Sequence, residues 1–129
     1  MYFDYFAVLQ RENSFTDEEK EACLETVELM LKLSDIAHQR GVSALLEAKE
    51  ESSLPFYKIG IRLAGNGWDP ELVANLLDNY IREVSPKGVD LLNRMLMRVG
   101  FVAILCGEST PLVKERLMSY LGETLGQSL

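Results

Sequence analysis

The sequence predicts an all-α fold, a compact bundle of about six helices. Three observations carry that prediction. Apolar residues recur at helical spacing, as in Leu72, Val73, Leu76, Leu77, Tyr80 and Ile81. Helix-start signals stand before such runs at Thr16, Asp69-Pro70, Ser85-Pro86 and Ser109-Thr110-Pro111. No segment sustains the two-residue alternation of a half-buried strand.

The elements follow in order. Thr16-Asp17-Glu18-Glu19 has the capping-box form, a hydroxyl followed three residues later by Glu, and predicts a helix that runs to about Gln39. The acids of its first turn, Asp17 to Glu21, complement the helix dipole. Val27, Leu29, Met30, Leu31, Leu33, Ile36 and Ala37 cover more than one face of it, so this helix is central or meets a partner. Gly41 interrupts, and a shorter helix is expected from about Val42 to Lys49. A third follows Ser52-Ser53 and carries Phe56, Ile59, Gly60, Leu63 and Ala64 until Gly65-Asn66-Gly67 breaks it. Asp69 caps the fourth, and Pro70 suits its first position because no hydrogen bond is lost there. Ser85-Pro86 repeats the signal, and Leu92, Met95, Leu96, Val99, Val102 and Ala103 line the next helix as far as Gly107. The last opens at Ser109-Thr110-Pro111 with Leu112, Val113, Leu117, Tyr120 and Leu121 inward, and Gly122 closes it. Residues 123–129 read as a loose tail, and residues 1–13 have no assigned structure. No linker divides the chain, so one domain over 1–129 is expected.

Two segments echo each other at an offset of 40 residues, 58–81 against 98–121. Gly60 pairs with Gly100, Gly67 with Gly107, Leu72-Val73 with Leu112-Val113, Leu77 with Leu117 and Tyr80 with Tyr120. Two readings stand side by side: a duplicated helical hairpin, or the chance agreement of two Leu-rich hairpins. Two copies are fewer than a solenoid needs, which favours a bundle.

Composition narrows the function. The 129 residues are 47% hydrophobic and 26% charged, an ordinary globular balance. Thirteen Lys and Arg against twenty Asp and Glu give a net charge of −7, the wrong sign for gripping a phosphate backbone. The N-terminus, Met1-Tyr2-Phe3-Asp4-Tyr5-Phe6, lacks the basic start of a secretory signal. The longest apolar stretch, around Val99–Cys106, is far short of the ~20 residues of a membrane span. Cytoplasm is the expected compartment. Cys23 and Cys106 lie among apolar residues and read as buried thiols.

Most chemistry is searched for without result. Asp35 and His38 stand at i, i+3, but di-metal bundles need that motif twice, and the chain has one His. Gly65-Asn66-Gly67 follows a helix and lacks the Gly-Lys-Ser/Thr ending of a phosphate loop. Trp68 has two readings, a hydrophobic anchor in the core before the Asp69 cap or an exposed contact, and the core is favoured. Neither catalytic residues, nor a metal, nor a cofactor is expected.

Three stretches point further. The first reads His38-Gln39-Arg40-Gly41-Val42-Ser43-Ala44-Leu45-Leu46-Glu47. The second runs Phe56-Tyr57-Lys58-Ile59-Gly60-Ile61-Arg62-Leu63 and then Gly67-Trp68-Asp69-Pro70-Glu71-Leu72-Val73. The third runs from Gly100-Phe101-Val102 through Gly107-Glu108-Ser109-Thr110-Pro111 to Lys114-Glu115-Arg116-Leu117. In this order they resemble the cytoplasmic part of MotA-type flagellar stator proteins, in the MotA/TolQ/ExbB proton-channel family. The family's four membrane helices have no counterpart here, including the pair that would fall between Glu83 and Leu91. Glu47 also lies one residue further from its Gly than the family's acid usually does, and His38 stands where a basic residue is common.

The resemblance implies a soluble protein–protein interaction module with no proton channel of its own. It implies docking by charged contacts on a switch-ring or stator protein, through a face around His38, Arg40, Glu47, Lys49 and Glu50. Two other readings remain at this level. One is a self-associating scaffold, a homodimer formed through the first helix and the aromatics Tyr2, Phe3, Tyr5 and Phe6. The other is a small ligand-binding bundle using Asp35 and His38.

Overall fold

The structure is a computed structural model and describes residues 14–127; Tyr2, Phe3, Tyr5, Phe6 and residues 128–129 lie outside the described residues. The described residues form seven α-helices and one 3₁₀ helix, without a strand. They are α1 (Asp17–Ala22), α2 (Leu24–Arg40), the 3₁₀ helix (Val42–Ala48), α3 (Pro55–Gly65), α4 (Pro70–Val84), α5 (Gly88–Leu105), α6 (Thr110–Ser119) and α7 (Glu123–Gln127). The expected all-α bundle is what the chain forms. Among the described residues no helix is long and apolar enough to cross a membrane.

Helix α5 is the axis of the bundle. It buries Leu91, Leu92, Met95, Leu96, Phe101 and Val102 and packs against α1, α2, α3, α4 and α6. Helix α2 meets α5, the 3₁₀ helix and α6. Val27, Met30 and Leu33 are buried there, and Leu29, Leu31, Ile36 and Ala37 pack partly against the core. Its several apolar faces are thus satisfied within the chain, and the central reading of this helix holds over the partner reading.

Several expectations need correction. The first predicted helix is two, because the chain tightens at Cys23, whose N–H bonds to the Lys20 and Glu21 carbonyls. The shorter helix expected after Gly41 is present, as a 3₁₀ helix over Val42–Ala48. Ser85 is not a helix start: it ends α4 in the left-handed region (φ 50°), and α5 begins at Gly88 with no side-chain cap. Trp68 and Leu112 are exposed. Cys23 is buried as expected, whereas Cys106, in the turn after α5, is exposed. Residues Glu123–Gln127 form a short helix in place of a tail.

The echo between the two hairpins is structural. Asn66 N–H donates to the Arg62 carbonyl (3.2 Å) as Cys106 does to Val102 (3.0 Å), and Gly67 bonds Ala64 (2.9 Å) as Gly107 bonds Ile104 (3.0 Å). Asp69 and Ser109 are both N-caps, accepting from Leu72 N–H (3.2 Å) and Leu112 N–H (3.3 Å). Gly67 and Gly107 both take a left-handed φ, 69° and 75°, which a Cβ would strain. The same backbone framework therefore recurs 40 residues apart.

Candidate functional site

The charges singled out in the sequence lie where α2 ends and the chain turns back. Gly41 takes φ 89° and permits that turn. It brings Glu47, on the 3₁₀ helix, beside Arg40, in the last turn of α2. One Arg40 guanidinium nitrogen donates to both Glu47 carboxylate oxygens at 2.7 Å. The Glu47 hydrogen bond and charge hold the Arg40 guanidinium above its ordinary pKa. Both side chains remain open to water.

The neighbouring charges follow the same logic. Glu50 accepts from Lys58 on α3 at 3.1 Å, and Glu51 pairs with Lys32 on α2. The three glutamates of residues 47–51 are thus each met by a cation from a flanking helix. Lys49 is exposed and makes no ion pair among the described residues. With Lys32, Arg40, Lys49 and Lys58 against Glu47, Glu50 and Glu51, this corner is slightly cationic on a chain of net charge −7. An exposed, alternating arrangement of this kind sets register and association rate at a protein surface more than it sets affinity.

His38 does not join that group. Its Nε2–H donates to the Glu108 carbonyl at 2.7 Å. Glu108 in turn accepts two bonds from Arg116, at 2.6 and 2.5 Å. Asp35 accepts from the Thr110 hydroxyl (2.9 Å), and Thr110 accepts from buried Ser34 (2.8 Å). The i, i+3 pair of Asp35 and His38 therefore ties α2 to the start of α6 instead of converging on one point. Among the described residues no three His, Cys, Asp or Glu side chains gather as a metal site.

Sequence reasoning missed the exposure of Leu46 at this corner and favoured the buried one of its two readings of Trp68. Leu46 and Trp68 are exposed beside it: the 3₁₀ helix lies on the α3–α4 turn, with the Leu46 side chain filling the space above Gly65 and Val42 that above Gly67. The capped start of α4 at Asp69 was a legible reason for Trp68 to stand just outside a helix.

The chain is similar to Motility protein A of Borreliella burgdorferi, 30% identical over 73 residues, which is 57% of this chain and 26% of that protein. The match thus spans about a quarter of the relative's length. No family model and no solved structure matches the chain.

Proposed function

We propose that the chain is a MotA-like protein–protein interaction module of the flagellar motor, acting in the cytoplasm by binding rather than by catalysis. The observation that carries this reading is the 73-residue likeness to Motility protein A. In this reading the module binds without a proton channel of its own. Its partner is a switch-ring or stator protein. Its contact face is the corner of Arg40, Glu47, Lys49 and Glu50, with Leu46 and Trp68 as the apolar contacts beside the charges. His38 belongs to the internal frame that holds the end of α2 against α6, and supports the face from behind.

The internal pairing of Arg40 with Glu47 makes a clean test possible. The double exchange R40E/E47R keeps an ion pair between the two positions and inverts the pattern offered to a partner. Captured switch-ring or stator protein is expected to fall on the exchange, with the thermal unfolding midpoint unchanged. Equal capture by parent and exchange would remove this corner as the contact face.

A further inference from the structure

Among the described residues, three arginines bond both oxygens of one carboxylate. Arg98 reaches Asp78 through Nε and Nη2, at 2.9 and 3.0 Å. Arg116 reaches Glu108 through the same two nitrogens, at 2.6 and 2.5 Å. Arg40 reaches Glu47 through Nη2 alone, at 2.7 Å to each oxygen. A guanidinium donates through three nitrogens, so Nε and Nη1 of Arg40 stay without a partner among the described residues.

Glu47 is itself held in place. The 3₁₀ helix that carries it is pinned by Leu45, which is fully buried, and by the Tyr57 hydroxyl, which donates to the Ala48 carbonyl at 2.7 Å. Its carboxylate therefore draws the last side chain of α2 towards a fixed point. An exposed pair of this kind is weak, so Glu47 orders the guanidinium without taking its charge out of reach.

We propose that the two charges have different tasks: Arg40 binds a carboxylate side chain of the partner protein through the nitrogens that Glu47 leaves open, and Glu47 is a positioning residue that holds the guanidinium for it. The inference rests on the binding role proposed above and names the chemistry of the partner's contact. An arginine that is ordered beforehand loses less side-chain freedom on binding. The occupant is anionic because the nitrogens left over are donors only. The surroundings agree: Lys32, Arg40, Lys49 and Lys58 outnumber Glu47, Glu50 and Glu51, and Lys49 makes no ion pair among the described residues.

Calorimetric titration of the full chain with the purified switch-ring or stator protein of its host tests the proposal, with far-UV dichroism as the check on folding. Gln and Ala at position 47 both remove the charge, and only Gln keeps an acceptor for Arg40. Glu47→Gln is expected to bind at least as tightly as the parent. Glu47→Ala is expected to bind about fivefold more weakly than Glu47→Gln, the effect of one long side chain left to be ordered on binding. Arg40→Lys keeps the charge and loses the planar set of donors, and is expected to raise the dissociation constant about tenfold. In Arg40→Met nothing is left to position, so Gln and Ala at 47 are expected to bind alike. Equal binding by Glu47→Gln and Glu47→Ala, an Arg40→Lys variant that binds like the parent, or a Gln–Ala difference that persists in the Arg40→Met background would each overturn this division of roles and leave the binding role standing. A parent that binds neither protein overturns both.

Discussion

Arg98 on α5 donates two hydrogen bonds to Asp78 on α4, at 2.9 and 3.0 Å, with side chains only 3% and 6% exposed. This is the one ion pair among the described residues that is withdrawn from water at both ends, and it joins the axial helix to the helix at the open edge. Burial pushes the Asp78 carboxyl up from its ordinary range, while Arg98 and then Arg82 pull it back. Breaking such a pair differs sharply from replacing it. Asp78→Ala leaves a buried guanidinium without its counter-charge and is expected to cost about 3–5 kcal/mol in urea unfolding. The double replacement D78L/R98M is expected to unfold within about 1 kcal/mol of the parent or above it. Equal losses for the single and double variants would show that the pair's shape, and not its charge, is what the fold needs.

Two glycines in equivalent positions of the repeat answer substitution differently. A Cβ at Gly60 would meet the Phe101 ring at 2.1 Å, and that ring is buried, with Tyr57 against it at 6.0 Å between centroids. A Cβ at Gly100 would meet Met30, Sδ at 2.6 Å, a side chain that can re-route. Gly60→Ala is expected to lower stability by about 1–3 kcal/mol through overpacking, and Gly100→Ala by less. Chemical denaturation of both variants decides the order; the reverse order would contradict the account of how α3 and α5 approach.

The buried thiol and phenol set an alkaline limit. Burial, then the charge of Glu19, pushes Cys23 from 9.0 up to about 11. Tyr57, whose hydroxyl donates to the Ala48 carbonyl at 2.7 Å, is pushed up by burial and then by Glu51. Each group ionises more readily in the unfolded chain. Cys23 therefore contributes fully below pH 9.0 and loses its contribution as pH rises towards 11, a term of about 2–3 kcal/mol. The urea midpoint is expected to fall over that interval, and to fall less in Cys23→Val. In native protein near neutral pH, a thiol reagent should label Cys106 at once and Cys23 only on unfolding. Prompt labelling of both would contradict the burial of Cys23.

The legible parts of the fold are those with local causes. The capping box at Thr16, the caps at Asp69 and Ser109 and the glycine turns at Gly41, Gly67 and Gly107 are each a short-range matter of backbone donors and φ. All of them stand where the sequence places them. Burial is a different question. Spacing shows which face a residue shares, and not whether another element lies over it, so Val73 and Val113 are buried while their neighbours Leu72 and Leu112 are not. Cys106 looked apolar by company but lies in a turn. Asp78 and Arg98 are 20 residues apart in sequence, on consecutive helices, and only the packing of those helices reveals the pair. At the candidate site, the sequence picked out Arg40 and Glu47 separately. Their mutual bond depends on the tight 3₁₀ course after Gly41, for which no sequence signal was available.

The most direct test of a motor-related binding role is capture of tagged full-length chain's partners from lysate of its own host, at low and at moderate salt, read by mass spectrometry. Switch-ring or stator proteins are expected in the low-salt eluate and reduced at moderate salt, because the corner's charges are exposed and screened. Recovery of none of these proteins at either salt concentration would contradict the role, and leave the likeness to Motility protein A as a matter of ancestry.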